Sequence, residues 1–272
     1  MAGGVSPRTL RFASCLAPNV LPMYEAVAAF VGERLNMPTT IEECEDYERW
    51  AAAEQDDVHF VCSLPYVELA KLGPPEVQVI AAPVLEGERY GDSPVYYSDV
   101  IVARDAPFRA FADLKGASWA YNEPRSHSGY GITRYTLVRM GETNGFFGRV
   151  IETGFHQDSI AMVAEGEVDA SAIDSQVLEV ELRDRPELAQ RIRVIESLGP
   201  SSIQPVTVAR RLPEGLRREI QKALLEMGDH PEGRRGLHLG LVRRFVPADE
   251  GTYADIGEMV AACEAAGFME LR

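Results

Sequence analysis

The residues best suited to chemistry lie together in Trp119-Ala-Tyr-Asn-Glu-Pro-Arg-Ser-His-Ser-Gly-Tyr130, which reads as a strand, a polar loop and the start of a helix. Ser126, His127 and Ser128 fall where a helix leaves its first N–H groups unpaired, and Gly129 lets a ligand come close to the backbone. The helix macrodipole adds about half a positive charge at such a terminus, so hydroxyls and backbone donors can surround an oxyanion without a lysine. The same residues admit a plainer reading in which Ser128 is only an N-cap. His156, Asp174 and Ser175 raise the question of a Ser/His/Asp hydrolase, but they lack a Gly-x-Ser-x-Gly elbow. Schiff-base chemistry needs a lysine in the pocket, and none of Lys71, Lys115 and Lys222 is placed there. Cys15, Cys44, Cys62 and Cys263 form no CxxC and have no histidine at metal-ligand spacing. They are expected to be buried free thiols, and no metal or cofactor is expected.

These groups must be positioned by a chain of 272 residues, 46% hydrophobic and 25% charged, which is enough to bury one large core or two smaller ones. The formal net charge of −15 disfavours nucleic acid and anionic lipid as partners. No apolar run approaches the roughly 18 residues needed to span a bilayer, so a soluble protein without direct membrane insertion is expected. No secretory leader is visible at Met1, so the protein is expected to be periplasmic if a leader was removed and cytoplasmic if Met1 is the native start. Strand-like runs alternate with helical periodicity throughout, predicting an α/β protein with mainly parallel sheets. Met23, Val27, Phe30, Val31 and Leu35 recur at helical spacing, and Val58 to Cys62 reads as a strand apolar on both faces. Chain crossings near 97–103 and 199–206 predict two lobes: 1–98 with 206–272, and 99–205 carrying the serine loop. A cleft between lobes is a preferred ligand site.

The ordered set of motifs resembles the phosphate/phosphite/phosphonate-binding family, solute receptors of ABC importers with the two-lobed type II periplasmic-binding-protein fold. It includes Asp46-Tyr47, Tyr96-Tyr97-Ser98, Asp113-Leu-Lys-Gly116, Ser126-His-Ser-Gly-Tyr130, Gly154-Phe-His156, Ser159-Ile160, Gly166-Glu-Val-Asp169-Ala170 and Ile173-Asp174-Ser175. The resemblance spans nearly the whole chain. It implies that Ser126, His127, Ser128, Gly129 and Tyr130 cradle an oxyanion, with His156 donating from the same lobe. Tyr47 and Tyr96 would approach from the opposite lobe, and the site would close as the lobes meet.

Three departures from the family pattern shape the expected ligand. His127 stands where the family usually has threonine; an unperturbed imidazole titrates near ~6.5, which would make affinity pH-dependent. Gln176 and Gln204 stand where amine-binding members carry carboxylates, so a ligand with a cationic amine is disfavoured, since an unpaired buried ion costs several kcal/mol. Asp174 closes a strand beside them. Cys62 and Ser63 end a strand aimed at the cleft, where either could touch ligand. The expected function is a monomeric, non-catalytic receptor that captures a small tetrahedral oxyanion for an ABC transporter permease. The alternatives are a cytosolic sensor of the same fold, or an enzyme using His156 or His127 as general base.

Overall fold

The computed structural model describes residues 8–44 and 47–271; Asp46, of the Asp46-Tyr47 pair, lies outside the described residues. In chain order the regular elements begin with β1 (Leu10–Ser14), α1 (Leu21–Leu35), β2 (Thr39–Glu43), α2 (Tyr47–Ala52), β3 (Val58–Phe60), α3 (Ser63–Leu72) and β4 (Val77–Leu85). They continue with β5 (Val95–Ala103), β6 (Ser118–Tyr121), α4 (Ile132–Met140), β7 (Arg149–Glu152), α5 (His156–Glu165), β8 (Ala170–Asp174) and α6 (Ser175–Asp184). The last are β9 (Ile192–Ser202), β10 (Val206–Ala209), α7 (Glu214–Glu226), α8 (Pro231–His238), β11 (Val242–Pro247) and α9 (Ala254–Ala265).

The chain divides into two compact units, one of Met1–Val61, Leu69–Pro94 and Ile203–Thr252, the other of Cys62–Glu68, Val95–Ser202 and Tyr253–Arg272. The first holds a six-stranded sheet in the order β11-β4-β10-β3-β1-β2, the second a five-stranded sheet in the order β7-β6-β8-β5-β9. Both sheets are mixed rather than mainly parallel. β10 runs antiparallel to β3 and β4, and β5 runs antiparallel to β8 and β9. Each of these strands enters its sheet directly after the chain has changed units. No βαβ crossover within the sheet dictates its direction, as one does for the parallel pairs of β1 with β3 and β6 with β8.

The unit boundaries differ from the sequence expectation at several segments. Val95–Ser98 already pairs with the second sheet, Ile203–Pro205 belongs to the first unit, and Cys62–Glu68 and Tyr253–Arg272 belong to the second. The carboxyl-terminal helix was expected to fold with the amino-terminal lobe. Instead Phe268 and Leu271 join the buried cluster around Trp119, Phe111 and Tyr130, where burial of large apolar side chains outweighs proximity in sequence to β11. Tyr130 Oη fixes that tail by donating to the Met269 carbonyl at 3.5 Å and accepting from Leu271 N at 3.4 Å. Asp255, opening α9, accepts from Ser202 N and Ser202 Oγ, each at 2.8 Å.

Cys15 and Cys44 form a disulfide, so the expectation of four free thiols holds only for Cys62 and Cys263. The pairing follows from register. Ser14 lies opposite Glu43 in the parallel β1–β2 pair, so the next residue on each strand is brought to a Cα–Cα distance of 4.6 Å, within bridging range. Closing a loop over a sequence separation of 29 restricts the unfolded chain. The double variant Cys15→Ser/Cys44→Ser is therefore expected to lose roughly 3 kcal/mol of unfolding free energy. An unchanged urea midpoint, with and without reductant, would show that the bridge does not constrain the unfolded ensemble.

Candidate functional site

The serine loop is built by a backbone turn wider than an α-helix. Gly131 N donates to Ser126 O at 2.9 Å and Ile132 N donates to His127 O, an i to i+5 pattern over His127–Gly131 that then tightens into α4. Wide turns of this type recur at functional sites because they reposition side chains relative to the helix axis. Ser126 is the N-cap, its Oγ accepting from Gly129 N at 3.1 Å; the capping serine is thus Ser126, not Ser128. The loop is not solvent-facing: His127, Ser128, Gly129 and Tyr130 are all buried.

His156 reaches this loop because the segment before it is tied to the end of β6. Thr153 N donates to Tyr121 O at 2.9 Å and Gly154 N donates to Asn122 O at 2.8 Å. α5 starts at His156, and this places the imidazole in the first turn. His156 Nε2 lies 3.1 Å from Ser128 Oγ, and Ser128 Oγ lies 3.3 Å from Ser126 Oγ. A continuous hydrogen-bonded chain therefore runs from His156 through Ser128 and Ser126 to the Gly129 amide. Burial pulls the His156 imidazole down to about 4, so it is neutral near pH 7.

His127 is held from three sides within the same unit. Its backbone N–H donates to Cys62 Sγ at 3.4 Å, its Nε2 lies 3.0 Å from Ser201 Oγ, and its ring stands 6.4 Å from that of Tyr96. Burial lowers its imidazole to about 4 against an opposing pull from Asp255. The expectation of titration near 6.5 is thus corrected, because a ring only 1% exposed has lost the hydration that favours its charged form. Burial also pushes the Cys62 thiol up to about 12, leaving it a neutral acceptor at the start of α3. Ser63, beside it, is fully buried.

The remaining sequence candidates divide between the units. Tyr96 belongs to the second unit with the serine loop, not to the opposite lobe as expected, because β5 has already joined the second sheet at Val95. Burial drives its phenol well above the usual range, Cys62 and Asp174 add to this, and only the Ser63 hydroxyl acts in the other sense. Asp174 ends β8 and caps α6, its Oδ1 accepting from Gln176 N at 2.8 Å and Val177 N at 3.4 Å. Gln176 is buried in the first turn of α6. Tyr47 and Gln204 lie in the first unit; Tyr47 Oη donates to the Cys15 carbonyl at 3.2 Å, beside the disulfide.

Sequence reasoning missed Asn122 and Ser201. An ideal Cβ on Gly129 would stand 2.1 Å from Asn122 Oδ1 and 3.4 Å from His156 Cε1. The space beside the Gly129 α carbon, expected to admit ligand, is therefore occupied by the Asn122 amide. Gly129→Ala is expected to displace Asn122 and destabilise the chain by about 1–3 kcal/mol, and Asn122→Ala in the same chain should recover most of the loss. Equal thermal midpoints for Gly129→Ala and wild type would contradict this packing.

The arrangement does not assemble a hydrolase. Ser175 Oγ accepts from Tyr97 N at 3.1 Å, Asp174 is committed to the α6 amides, and His156 meets Ser128 instead. Within the Ser128–His156 pair no carboxylate orients the imidazole, since His156 Nδ1 finds no partner among the described residues. Among the described residues no group of three or more His, Cys, Asp or Glu could hold a metal ion, and no helix is long and apolar enough to cross a membrane.

Residues 12–253 match the family described as ABC transporter, phosphonate, periplasmic substrate-binding protein. The chain belongs to this phosphonate-binding family. Its members and fold neighbours are substrate-binding proteins of ABC transporters, not enzymes. This family member is 26% identical over 154 residues to the "Probable ABC transporter phosphite binding protein PhnD1" of Prochlorococcus marinus, covering 54% of this chain and 52% of that protein. It is 25% identical over 145 residues to the phosphonates-binding periplasmic protein of Escherichia coli, covering 52% and 43%. The chain thus spans about half the length of the curated relatives it matches. Prochlorococcus marinus PhnD1, solved in complex with methylphosphonate, shares its fold at a TM-score of 0.82 and 19% identity, covering 95% of this chain and 99% of that one. A binding-protein component of an ABC phosphonate transporter from Pseudomonas aeruginosa does so at 0.80 and 16%, covering 93% and 86%.

Proposed function

We propose that this chain captures a small tetrahedral oxyanion of the phosphonate or phosphite type in the second unit and delivers it to an ABC transporter permease. The observation that carries the reading is the convergence of Ser126, Ser128 and His156 in one buried hydrogen-bonded chain at the turn that opens α4. Hydroxyl, imidazole and backbone N–H groups at such a turn form a set of donors that requires no lysine. Tyr96 Oη and Ser63 Oγ are buried in the same unit, where the Ser63 hydroxyl bears on the Tyr96 phenol, and this adds hydroxyl groups that can donate to a guest.

The ligand in this reading carries no cationic amine, because Gln176 and Gln204 supply no countercharge where amine-binding members have carboxylates and Asp174 is already engaged with helix amides. Calorimetric titration with methylphosphonate, phosphite, phosphate and 2-aminoethylphosphonate tests this. The amine compound is expected to bind at least about tenfold more weakly than methylphosphonate, a difference of about 1.4 kcal/mol. Tighter binding of the amine compound would reverse that assignment. Tyr47→Phe and Gln204→Leu, titrated in parallel, are expected to weaken binding if the first unit supplies the donors assigned to it. The disulfide supports a periplasmic location, since such bridges persist in oxidising compartments and are rare in the cytosol. Cell fractionation with thiol labelling checks it, and recovery of the chain in the cytosol with Cys15 and Cys44 reduced would favour the sensor alternative.

A further inference from the structure

Within the second unit, several polar side-chain atoms are buried with no hydrogen-bond partner among the described residues. Asn122 Oδ1, His127 Nδ1 and His156 Nδ1 have no hydrogen-bond partner among the described residues, and these side chains are 8%, 1% and 6% exposed. The amide orientation at Asn122 is supported by its surroundings. Oδ1 faces the Gly129 α carbon, where an oxygen can accept a weak Cα–H contact and an NH2 group would meet only carbon-bound hydrogen.

The hydrogens of the Ser–His chain can be counted. A neutral His156 and two serine hydroxyls own three between them, and the links from His156 to Ser128 and from Ser128 to Ser126 consume two. One hydrogen remains for a guest. It sits on the Ser126 or the Ser128 hydroxyl, leaving His156 Nδ1 a bare acceptor, or it sits on Nδ1 with both serines pointing towards the imidazole. In each of these arrangements Asn122 Oδ1 still has no donor among the described residues.

The charges around this cluster act in the same direction. Glu123 and Asp174 bear on Cys62, Asp174 and Asp255 bear on Tyr96, and Asp255 bears on His127. The clustered residues Ser63, Tyr96, Asn122, Ser126, His127, Ser128, His156 and Ser201 include no lysine or arginine, and Arg125 on the preceding turn is exposed. Arg134 of α4 is buried, but its guanidinium lies 5.4 Å from the Tyr130 ring centroid and bears on Cys263 of α9, so a doubly charged guest at the serines would still meet carboxylate repulsion.

We infer that the site takes its oxyanion as the singly charged acid, R–PO2(OH)−, with the acid proton donated to Asn122 Oδ1. The inference rests on the oxyanion reading above and adds the protonation state that the site selects. Calorimetry on the intact chain between about pH 6.5 and about pH 9, above the range in which the buried histidines titrate, separates the two claims. Methylphosphonate affinity is expected to fall about tenfold per pH unit once the pH exceeds the ligand's second ionisation, with one proton taken up per ligand bound, as measured in buffers of different ionisation enthalpy. Methanesulfonate has the same shape and single charge but no proton to give, so it should bind at least about tenfold more weakly, independently of pH. Asn122→Leu should bring the methylphosphonate to methanesulfonate affinity ratio towards one. Methylphosphonate affinity that is level or rises through the second ionisation, methanesulfonate binding equal to that of methylphosphonate, or an unchanged ratio in Asn122→Leu would overturn the inference while leaving the oxyanion reading intact. No binding of either compound at any pH would overturn both.

Discussion

Acidification from about pH 7 to about pH 4 is expected to remove several kcal/mol of the chain's stability, through histidines folded in their neutral form. His59, His127 and His156 are each lowered to about 4, by burial first in every case. At His59 the nearby Arg211 adds to the lowering, while Asp57 and the hydrogen bond to Thr207 oppose it. An unfolded histidine takes up its proton near ~6.5, whereas these three resist protonation until about 4. Between those values the unfolded chain holds more protons, so stability falls as the pH falls through the window. Each pKa unit corresponds to about 1.4 kcal/mol, so complete protonation of even two sites is a large part of the 5–15 kcal/mol typical of a folded domain. Urea midpoints at about pH 7, 5.5 and 4.5 check this. His59→Gln is expected to flatten part of the slope without touching the proposed site, because His59 lies in β3 of the first unit, opposite Thr207 of β10. A midpoint that stays level down to about pH 4.5 would mean that these imidazoles are hydrated in solution.

The second large effect is on binding. Ser126→Ala removes the N-cap acceptor of Gly129 N as well as one link of the Ser–His chain, and Ser128→Ala breaks the link to His156. Hydrogen bonds to charged groups contribute roughly 1.5–3 kcal/mol, and a deleted N-cap costs about 1 kcal/mol of stability besides. The single substitutions are therefore expected to weaken methylphosphonate binding by one to two orders of magnitude each. The effects should not add, because Ser128 loses its downstream partner once Ser126 is gone. Ser126→Ala should lower the melting temperature more than Ser128→Ala, since only Ser126 caps the turn. Wild-type affinity in both variants would remove the serine loop from the site.

How much of this could be read from residues alone depends on how local the cause is. The serine loop was legible because hydroxyls and a glycine after the apolar Trp119–Tyr121 run specify a strand followed by a capped turn. Its width was not, since no residue type in the loop distinguishes the closure of Gly131 N on Ser126 O from an α-helical one. The family resemblance carried the two-unit α/β fold. It did not carry strand direction, because an apolar run such as Val100-Ile101-Val102 suits a buried strand of either orientation. The Cys15–Cys44 bridge depends on the register of β1 against β2, for which neither cysteine has a local signal. Asn122 looked like the end of a strand and Ser201 like part of a connection. Ser201 meets His127 across 74 residues of chain, and Asn122 and His156, 34 residues apart, both approach the place where a Gly129 Cβ would stand. The neutral state of His127 was hidden for the same reason, since Cys62, Tyr96 and Ser201, which enclose it, are remote in sequence.

The most direct test of the binding assignment is a crystal structure of the chain grown with methylphosphonate. The ligand phosphorus is expected beside the turn that opens α4, with its oxygens within about 3 Å of Ser126 Oγ or Ser128 Oγ and of a ring nitrogen of His156. Ligand density that avoids Ser126, Ser128 and His156, with their mutual hydrogen bonds intact, would contradict the account.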